Sequence, residues 1–265
     1  MAEIDSLLNI MEKLRDPAAG CPWDLQQDMH SLLKYTLEEV YEVVDAIERG
    51  DREQIKEELG DLLFQIVFYA QVASENDWFG IQDIVDAISA KLVSRHPHVF
   101  PVGDKVASRE IQDIHANWEQ RKEVERSAKG FDSILDDIPL ALPALQRSHK
   151  IQSRLARIGF DWQNPREVLQ QLRSEIEELE QAMGESDSEA CADELGDVLF
   201  SCVNLARHLK LDSESCLRAT NSKVMKRVAW MERALQAKED SLWGQSMEAL
   251  EALWQAAKRD LSRVG

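Results

Sequence analysis

The chain is short of the residues that interrupt helices. With 11 Gly and 7 Pro in 265 residues, it cannot be collagen-like, low-complexity or wholly disordered. Its four cysteines, Cys21, Cys191, Cys202 and Cys216, form no C-x-x-C pair. That removes a cysteine zinc site and a disulfide framework, and fits a reducing compartment, the cytoplasm. No apolar run approaches the roughly 20 residues of a membrane span; the longest, LLFQIVFYAQVA at Leu62–Ala73, reads as a buried helix. The amino-terminal MAEIDSLLNIMEKL is acidic and amphipathic, without the basic start and apolar centre of a signal peptide. Positive charge is scarce as well. Lys and Arg number 31 against 49 Asp and Glu, a net charge of −18, so the molecule repels nucleic acid and anionic membranes. A small anionic substrate needs local charge reversal.

Alternating Val/Ile/Thr runs bounded by turns are absent, whereas apolar positions recur at helical spacing almost throughout. The pattern predicts an all-α protein with helices near Ile4–Arg15, Gln26–Arg49, Arg52–Asn76, Ile81–Arg95, Ser108–Arg126, Leu142–Ile158, Pro165–Met183, Ser188–Leu209, Ser213–Lys238 and Met247–Leu261. The segment Pro97–Ala107, rich in Pro, Gly and charge, and Ala128–Asp137 bracket an inter-domain region. The expected division is a first helical domain over 1–100, a connecting segment over 101–140 and a second helical domain over 141–265.

An internal repeat organises the chain. Glu39–Phe64 aligns on Glu175–Phe200 with a constant offset of 136 residues and no gap, and ELGDLLF at Glu58–Phe64 becomes ELGDVLF at Glu194–Phe200. Four acids recur: Glu39 as Glu175, Glu42 as Glu178, Glu58 as Glu194 and Asp61 as Asp197. Members of each i,i+3 pair stand about 60° apart on one helix face. Between the pairs of the first half, Gly50 ends a helix and Asp51 with Gln54 has the form of a capping box; Ser186 with Glu189 takes that place in the second. The chain therefore doubles back, bringing both acid pairs to one height on an antiparallel hairpin. The E-L-G-D segments run straight into apolar stretches, which predicts that these acids lie on buried helices rather than on a solvated face.

Four clustered carboxylates repel one another unless they protonate or enclose a cation. With only oxygen ligands, and no His or Cys at the paired positions, the pattern favours Mg²⁺, with Mn²⁺ also suitable, over Zn²⁺. The di-iron pattern Glu-x-x-His is excluded by Asp61 and Asp197. Positive charge comes from two i,i+4 pairs, Lys91 with Arg95 and Lys223 with Arg227, suited to a polyphosphate held between metal and basic side chains. His96 and His98 flank Pro97 outside the acid motif and read as local structure.

These motifs resemble the MazG nucleoside triphosphate pyrophosphohydrolases of the all-α NTP pyrophosphatase superfamily. The resemblance rests on GCPWD at Gly20–Asp24, YTLEEVYEV at Tyr35–Val43, ELGDLLFQIVFYAQ at Glu58–Gln71 and RHPHVF at Arg95–Phe100. It continues through LDDIP at Leu135–Pro139, KIQSRLARIGFDW at Lys150–Trp162, ELGDVLF at Glu194–Phe200 and NLARHL at Asn204–Leu209. It implies two tandem MazG-type four-helix cores, Mg²⁺ held by the eight acids, dimeric assembly and hydrolysis of an NTP to NMP and pyrophosphate. It further implies triphosphate contacts at Lys223 and Arg227, matched by Lys91 and Arg95 in the first half, and a tryptophan near the base at Trp254. The first half keeps Glu38 beside Glu39, a candidate general base. The second has Ser174 at that place, with Gln171 and Ala190 where the family often carries lysines. The alternative is a non-catalytic helical module that binds nucleotides or a partner around a structural metal.

Overall fold

The computed structural model describes residues 2–101, 130, 131, 133–185, 187–237 and 239–262. The helix expected at Ser108–Arg126 lies outside the described residues. Among the described residues there are ten α-helices and no strand. No described helix is long and apolar enough to cross a membrane. The chain divides into two compact units, residues 1–123 and 124–265.

In the first unit, α1 (Ala2–Leu14), the single turn α2 (Pro22–Leu25), α3 (Leu33–Arg49), α4 (Arg52–Glu75) and α5 (Ile81–Arg95) follow in order. Helices α3 and α4 form the expected hairpin. Gly50 closes α3 in the left-handed region at φ 73°, and the Asp51 carboxylate opens α4 by accepting from the backbone N–H of Glu53 and Gln54. The helix expected from Gln26 begins only at Leu33. Asp28 is the reason: its Oδ1 accepts from the N–H of His30 and of Ser31, while its own N–H donates to Ser31 Oγ. Side-chain bonds of this kind compete with helical ones and hold a turn.

Helix α1 packs on α4 around Met11, Leu32, Val67, Phe68 and Val72, with Tyr35, Phe64 and Tyr69 at the margin. Arg15 anchors this core. Its Nε and a terminal nitrogen donate to both Glu75 oxygens at 2.6–3.0 Å, and its other terminal nitrogen donates to the carbonyls of Asp24 and Gln27. A guanidinium this buried is tolerable only when its donors are satisfied. The same contacts hold the Glu75 carboxyl below the usual carboxylate range.

In the second unit, α6 (Ala144–Arg157), α7 (Pro165–Glu185), α8 (Ser188–His208), α9 (Ser213–Gln236) and α10 (Met247–Leu261) follow. The segment 133–138 is fastened to α6 by Arg154, which donates to the Ile134 carbonyl and to Asp137 Oδ1, both at 2.6 Å, and Ile138 is buried. Helices α7 and α8 repeat the hairpin and pack along their length. The residue that opens α8 is Asp187, not Ser186: its carboxylate accepts from the N–H of Glu189 and Ala190. Asp187 stands 136 residues after Asp51, so the repeat extends to the cap itself. Gln54 also departs from the capping-box expectation, since its amide turns forward to Glu58 at 3.2 Å.

Both hairpins leave one apolar stripe in solvent, and the stripe is repeated too. Val40, Ile47, Leu59 and Leu63 in the first and Ile176, Met183, Leu195 and Leu199 in the second are 39–64% exposed. Each member of the second set lies 136 residues after its counterpart.

Candidate metal centre and substrate site

The hairpins place the acids where the spacing required. Carboxylate oxygens of Glu39, Glu42 and Glu58 lie within 4.8 Å of one another, as do those of Glu175, Glu194 and Asp197. The fourth member of each set is close enough to act on the others. Partial burial and repulsion from Asp61, Glu42, Glu58 and Glu38 push the Glu39 carboxyl up. Partial burial with repulsion from Glu178, Asp197, Asp193 and Glu175 does the same to Glu194.

The acids are less enclosed than the apolar flanks suggested. Glu39, Glu58, Glu175 and Glu194 are half-buried, whereas Glu42, Asp61, Glu178 and Asp197 are exposed. They sit at the hairpin's edge, one turn or more before α4 and α8 become core helices at Gln65 and Ser201.

Neutral donors steer three of these acids. Gln54 Nε2 donates to Glu58 at 3.2 Å, Gln171 Nε2 to Glu175 at 2.8 Å and Ser174 Oγ to Glu178 at 3.1 Å. Each donor lies four residues before its acid, an i,i+4 relation readable in the sequence. Ser174 and Gln171, which depart from the family pattern, are thereby hydrogen-bonded to the second acid set. Among the described residues no Lys or Arg pairs with any of the eight acids. Clustered oxygen donors, mutually repelling and without a cationic partner, fit a hard divalent ion.

The basic pairs lie elsewhere on the helices. Lys91 is exposed and Arg95 half-buried at the end of α5; Lys223 is exposed and Arg227 half-buried in the middle of α9. The Arg227 guanidinium stacks over the Trp254 ring at 5.0 Å, linking α9 to α10. Neither pair forms a described ion pair with the acid sets. Glu38 is exposed on α3 next to Glu39, and His96 bonds its own helix end, Nδ1 lying 2.7 Å from the Leu92 carbonyl.

In the second unit a cavity of about 420 Å³ runs from Glu175 and Gln171 toward Phe160, Asn204 and Arg207. Most of its lining, including Gln152, Phe160, Trp162, Asn204 and Arg207, comes from the KIQSRLARIGFDW and NLARHL motifs, which the acid pattern left without a role.

Comparison with known proteins agrees with the repeat. The MazG nucleotide pyrophosphohydrolase domain matches twice, over residues 27–100 and 163–231. The chain is 47% identical over 261 residues, 98% of either chain, to a nucleoside triphosphate pyrophosphohydrolase of Escherichia coli strain K12. It is 39% identical to the Thermotoga maritima nucleoside triphosphate pyrophosphohydrolase/pyrophosphatase MazG, covering 96% of this chain and 95% of that one. A Mycobacterium tuberculosis nucleoside triphosphate pyrophosphohydrolase matches 57% of this chain at 38% identity, over 44% of its own length. With the acid motif duplicated and both repeats matched, the chain belongs to the MazG family of nucleotide pyrophosphohydrolases.

Proposed function

We propose that the chain hydrolyses nucleoside triphosphates to monophosphate and pyrophosphate with Mg²⁺, or Mn²⁺, held by the repeated carboxylates. The observation that carries this reading is the duplicated acid set, close-packed in each hairpin and without a described cationic partner. In the second half Glu175, Glu178, Glu194 and Asp197 would hold the ion; in the first, Glu39, Glu42, Glu58 and Asp61. The ion supplies charge neutralisation on phosphate oxygens and lowers the pKa of coordinated water.

The remaining work falls to side chains of the protein. Gln171 and Ser174 fix the rotamers of Glu175 and Glu178, so less ordering remains to be done when substrate arrives. Lys223 and Arg227 supply positive charge for the triphosphate, as Lys91 and Arg95 do in the first half. Trp254 lies under the Arg227 guanidinium and restricts its orientation. Glu38, exposed beside Glu39, is the candidate to accept a proton in the first half. Ser174 stands in its place in the second, where its hydroxyl is engaged by Glu178.

The working assembly under this proposal is a cytoplasmic homodimer. All four cysteines are free, as a reducing compartment keeps them, and the repeated apolar stripes call for a covering surface. The deciding experiment incubates the protein with a panel of NTPs and Mg²⁺ and identifies the products. Monophosphate plus pyrophosphate is expected; diphosphate plus orthophosphate as the main products would reject the reading. A non-catalytic nucleotide-binding module would release neither.

A further inference from the structure

The turn between α8 and α9 brings two helical stripes together. Leu199, Cys202, Val203 and Ala206 of α8, and Ser213, Cys216, Leu217 and Thr220 of α9, each recur at i, i+3, i+4 and i+7, so each set occupies one helix face. Both faces line a groove of about 340 Å³, to which α6 adds Leu145. The chain turns back through Lys210 at φ 58°, where the Leu211 N–H donates to the Ala206 carbonyl at 2.9 Å and the Asp212 carboxylate accepts from the Ser215 N–H at 2.7 Å. Counted outward from this turn, Ala206 and Ser213 come first, Cys202 with Val203 and Cys216 with Leu217 second, Leu199 and Thr220 last. The two cysteines therefore stand at one level on facing sides of the groove.

At this groove the halves of the repeat differ. The offset of 136 sets Ile66 against Cys202. The shift of 132 that relates Lys91 and Arg95 to Lys223 and Arg227 sets Ile84 against Cys216, and Ile81 and Ile88 against Ser213 and Thr220. Three isoleucines of α5 thus answer to Ser, Cys and Thr on α9. The change to cysteine falls on both sides of one groove and in one half only.

Both thiols are free and both residues are exposed, so a small oxidant reaches them, whereas Cys21 and Cys191 lie outside the groove. A disulfide needs Cα atoms about 4.4–6.8 Å apart. Helix α9 packs on α8 far less than α7 does, and the small side chains of Ala206, Ser213 and Thr220 let it move in, since the spacing of packed helices follows the side chains between them.

We infer that Cys202 and Cys216 form a reversible regulatory disulfide, made by hydrogen peroxide and undone by a dithiol, that draws α9 onto α8. The Cys216 thiolate attacks one peroxide oxygen, the O–O bond breaks and hydroxide leaves. The Cys202 sulfur then attacks the Cys216 sulfenic acid, the S–S bond forms, and the sulfenic hydroxyl departs as water with the Cys202 proton. Two thiols give up two electrons and two protons, and peroxide is reduced to two waters. Partial burial pushes the Cys202 thiol up, which leaves it the resolving partner rather than the one that meets peroxide. In a reducing compartment such a bond is transient and serves sensing.

The bond would tie together the helices that carry the two kinds of charge. Asp197 lies five residues before Cys202, and Lys223 lies seven after Cys216. Resting on the triphosphate reading above, closure of the groove shifts Lys223 and Arg227 relative to Glu194 and Asp197, and oxidation lowers the rate.

The test treats the reduced native protein with hydrogen peroxide, blocks the remaining thiols with iodoacetamide and maps cross-linked peptides by mass spectrometry, before and after dithiothreitol. The expected product is one link within the chain, Cys202 to Cys216, lost on reduction. In parallel, pyrophosphate release with Mg²⁺ should fall at least about fivefold on oxidation and return with dithiothreitol, while Cys216→Ser keeps the reduced rate and ignores peroxide. Should circular dichroism show Cys216→Ser unfolded, Cys202→Ala replaces it with the same expectation; Cys21→Ser with Cys191→Ser must stay sensitive. Separate sulfinic or sulfonic acids at the two residues without a link, or a link only between two chains in non-reducing electrophoresis, would overturn the disulfide. A mapped link with an unchanged rate would overturn the switch. If the reduced native protein releases no pyrophosphate from any NTP, the triphosphate reading fails, and the peptide map still judges the disulfide.

Discussion

Glu42 and Glu178 occupy equivalent places in the repeat, but their surroundings differ. Glu42 lies within the close-packed trio of its half, whereas the trio of the second half is Glu175, Glu194 and Asp197, and Glu178 beside it accepts from the Ser174 hydroxyl. Removing a carboxylate from a working metal site leaves the other acids without their full charge complement, so the loss in rate should reach several orders of magnitude, about 10³ or more. The second half joins its acids to Lys223, Arg227, Trp254 and an open cavity, so Glu178→Ala should abolish most pyrophosphate release and Glu42→Ala should be tolerated. Parallel assays at saturating Mg²⁺ decide; a dead Glu42→Ala with a near-normal Glu178→Ala would reverse the assignment of the halves. The same residues predict a stability effect. Eight acids that have no cationic partner among the described residues would be relieved by a bound ion, so Mg²⁺ should raise the midpoint of thermal unfolding above that in EDTA. Equal midpoints in a calibrated thermal scan would count against a metal site, as would full activity in EDTA.

At the scale of helices, the offset of 136 carries the caps as well as the acids. Asp51 and Asp187 each satisfy two backbone donors at the start of α4 and α8, so replacing either by Ala should cost about 1 kcal/mol in urea unfolding. A loss confined to one of them would show that the two turns are not equivalent. The Arg15–Glu75 pair closes the first unit differently, joining the ends of α1 and α4. Glu75 is a third exposed, so Glu75→Gln should cost about 2–3 kcal/mol at pH 7, less than a fully buried pair. Because the Glu75 pKa is lowered on folding, its contribution is present above the unfolded value near 4.5 and is lost as pH falls through the lower folded value. The difference between native and variant should therefore shrink in denaturation at low pH, and a difference independent of pH would rule out the ionic origin.

Helix positions and the acid sets were legible because both depend on spacing: Ile81–Arg95 and Met247–Leu261 follow from periodicity alone. The start of α3 was not, because Asp28 traps a turn through bonds that periodicity does not register. Asp187 was obscured by Ser186, an equally good capping residue one place earlier. The cavity was obscured for another reason. Its lining joins residues from three helices and the loop at Gly159–Trp162, a juxtaposition that spacing along the chain does not register.

Across the whole molecule, the exposed stripes are the surface on which the proposed dimer would depend. Leu59 and Leu63 in one hairpin, and Leu195 and Leu199 in the other, project from the helices that carry the acids and remain 40–51% exposed. With a net charge of −18, self-association must overcome general repulsion, so a dimer needs apolar contact rather than charge attraction to hold it. A two-fold axis provides this economically, since it sets the same stripe of two copies face to face. A stable interface of this kind covers about 1,200–2,000 Å² in total, and the repetition of the stripe in both halves offers two places to gain it. Light scattering at micromolar concentration should thus give twice the chain mass of 30.2 kDa. Leu195→Glu with Leu199→Glu adds charge to an already acidic surface and should shift the population toward monomer while leaving helical content unchanged. A native protein that scatters only as a monomer would reject the dimer outright. If the native protein is a dimer and the double variant dimerises as tightly, contact through the second-half stripe is refuted.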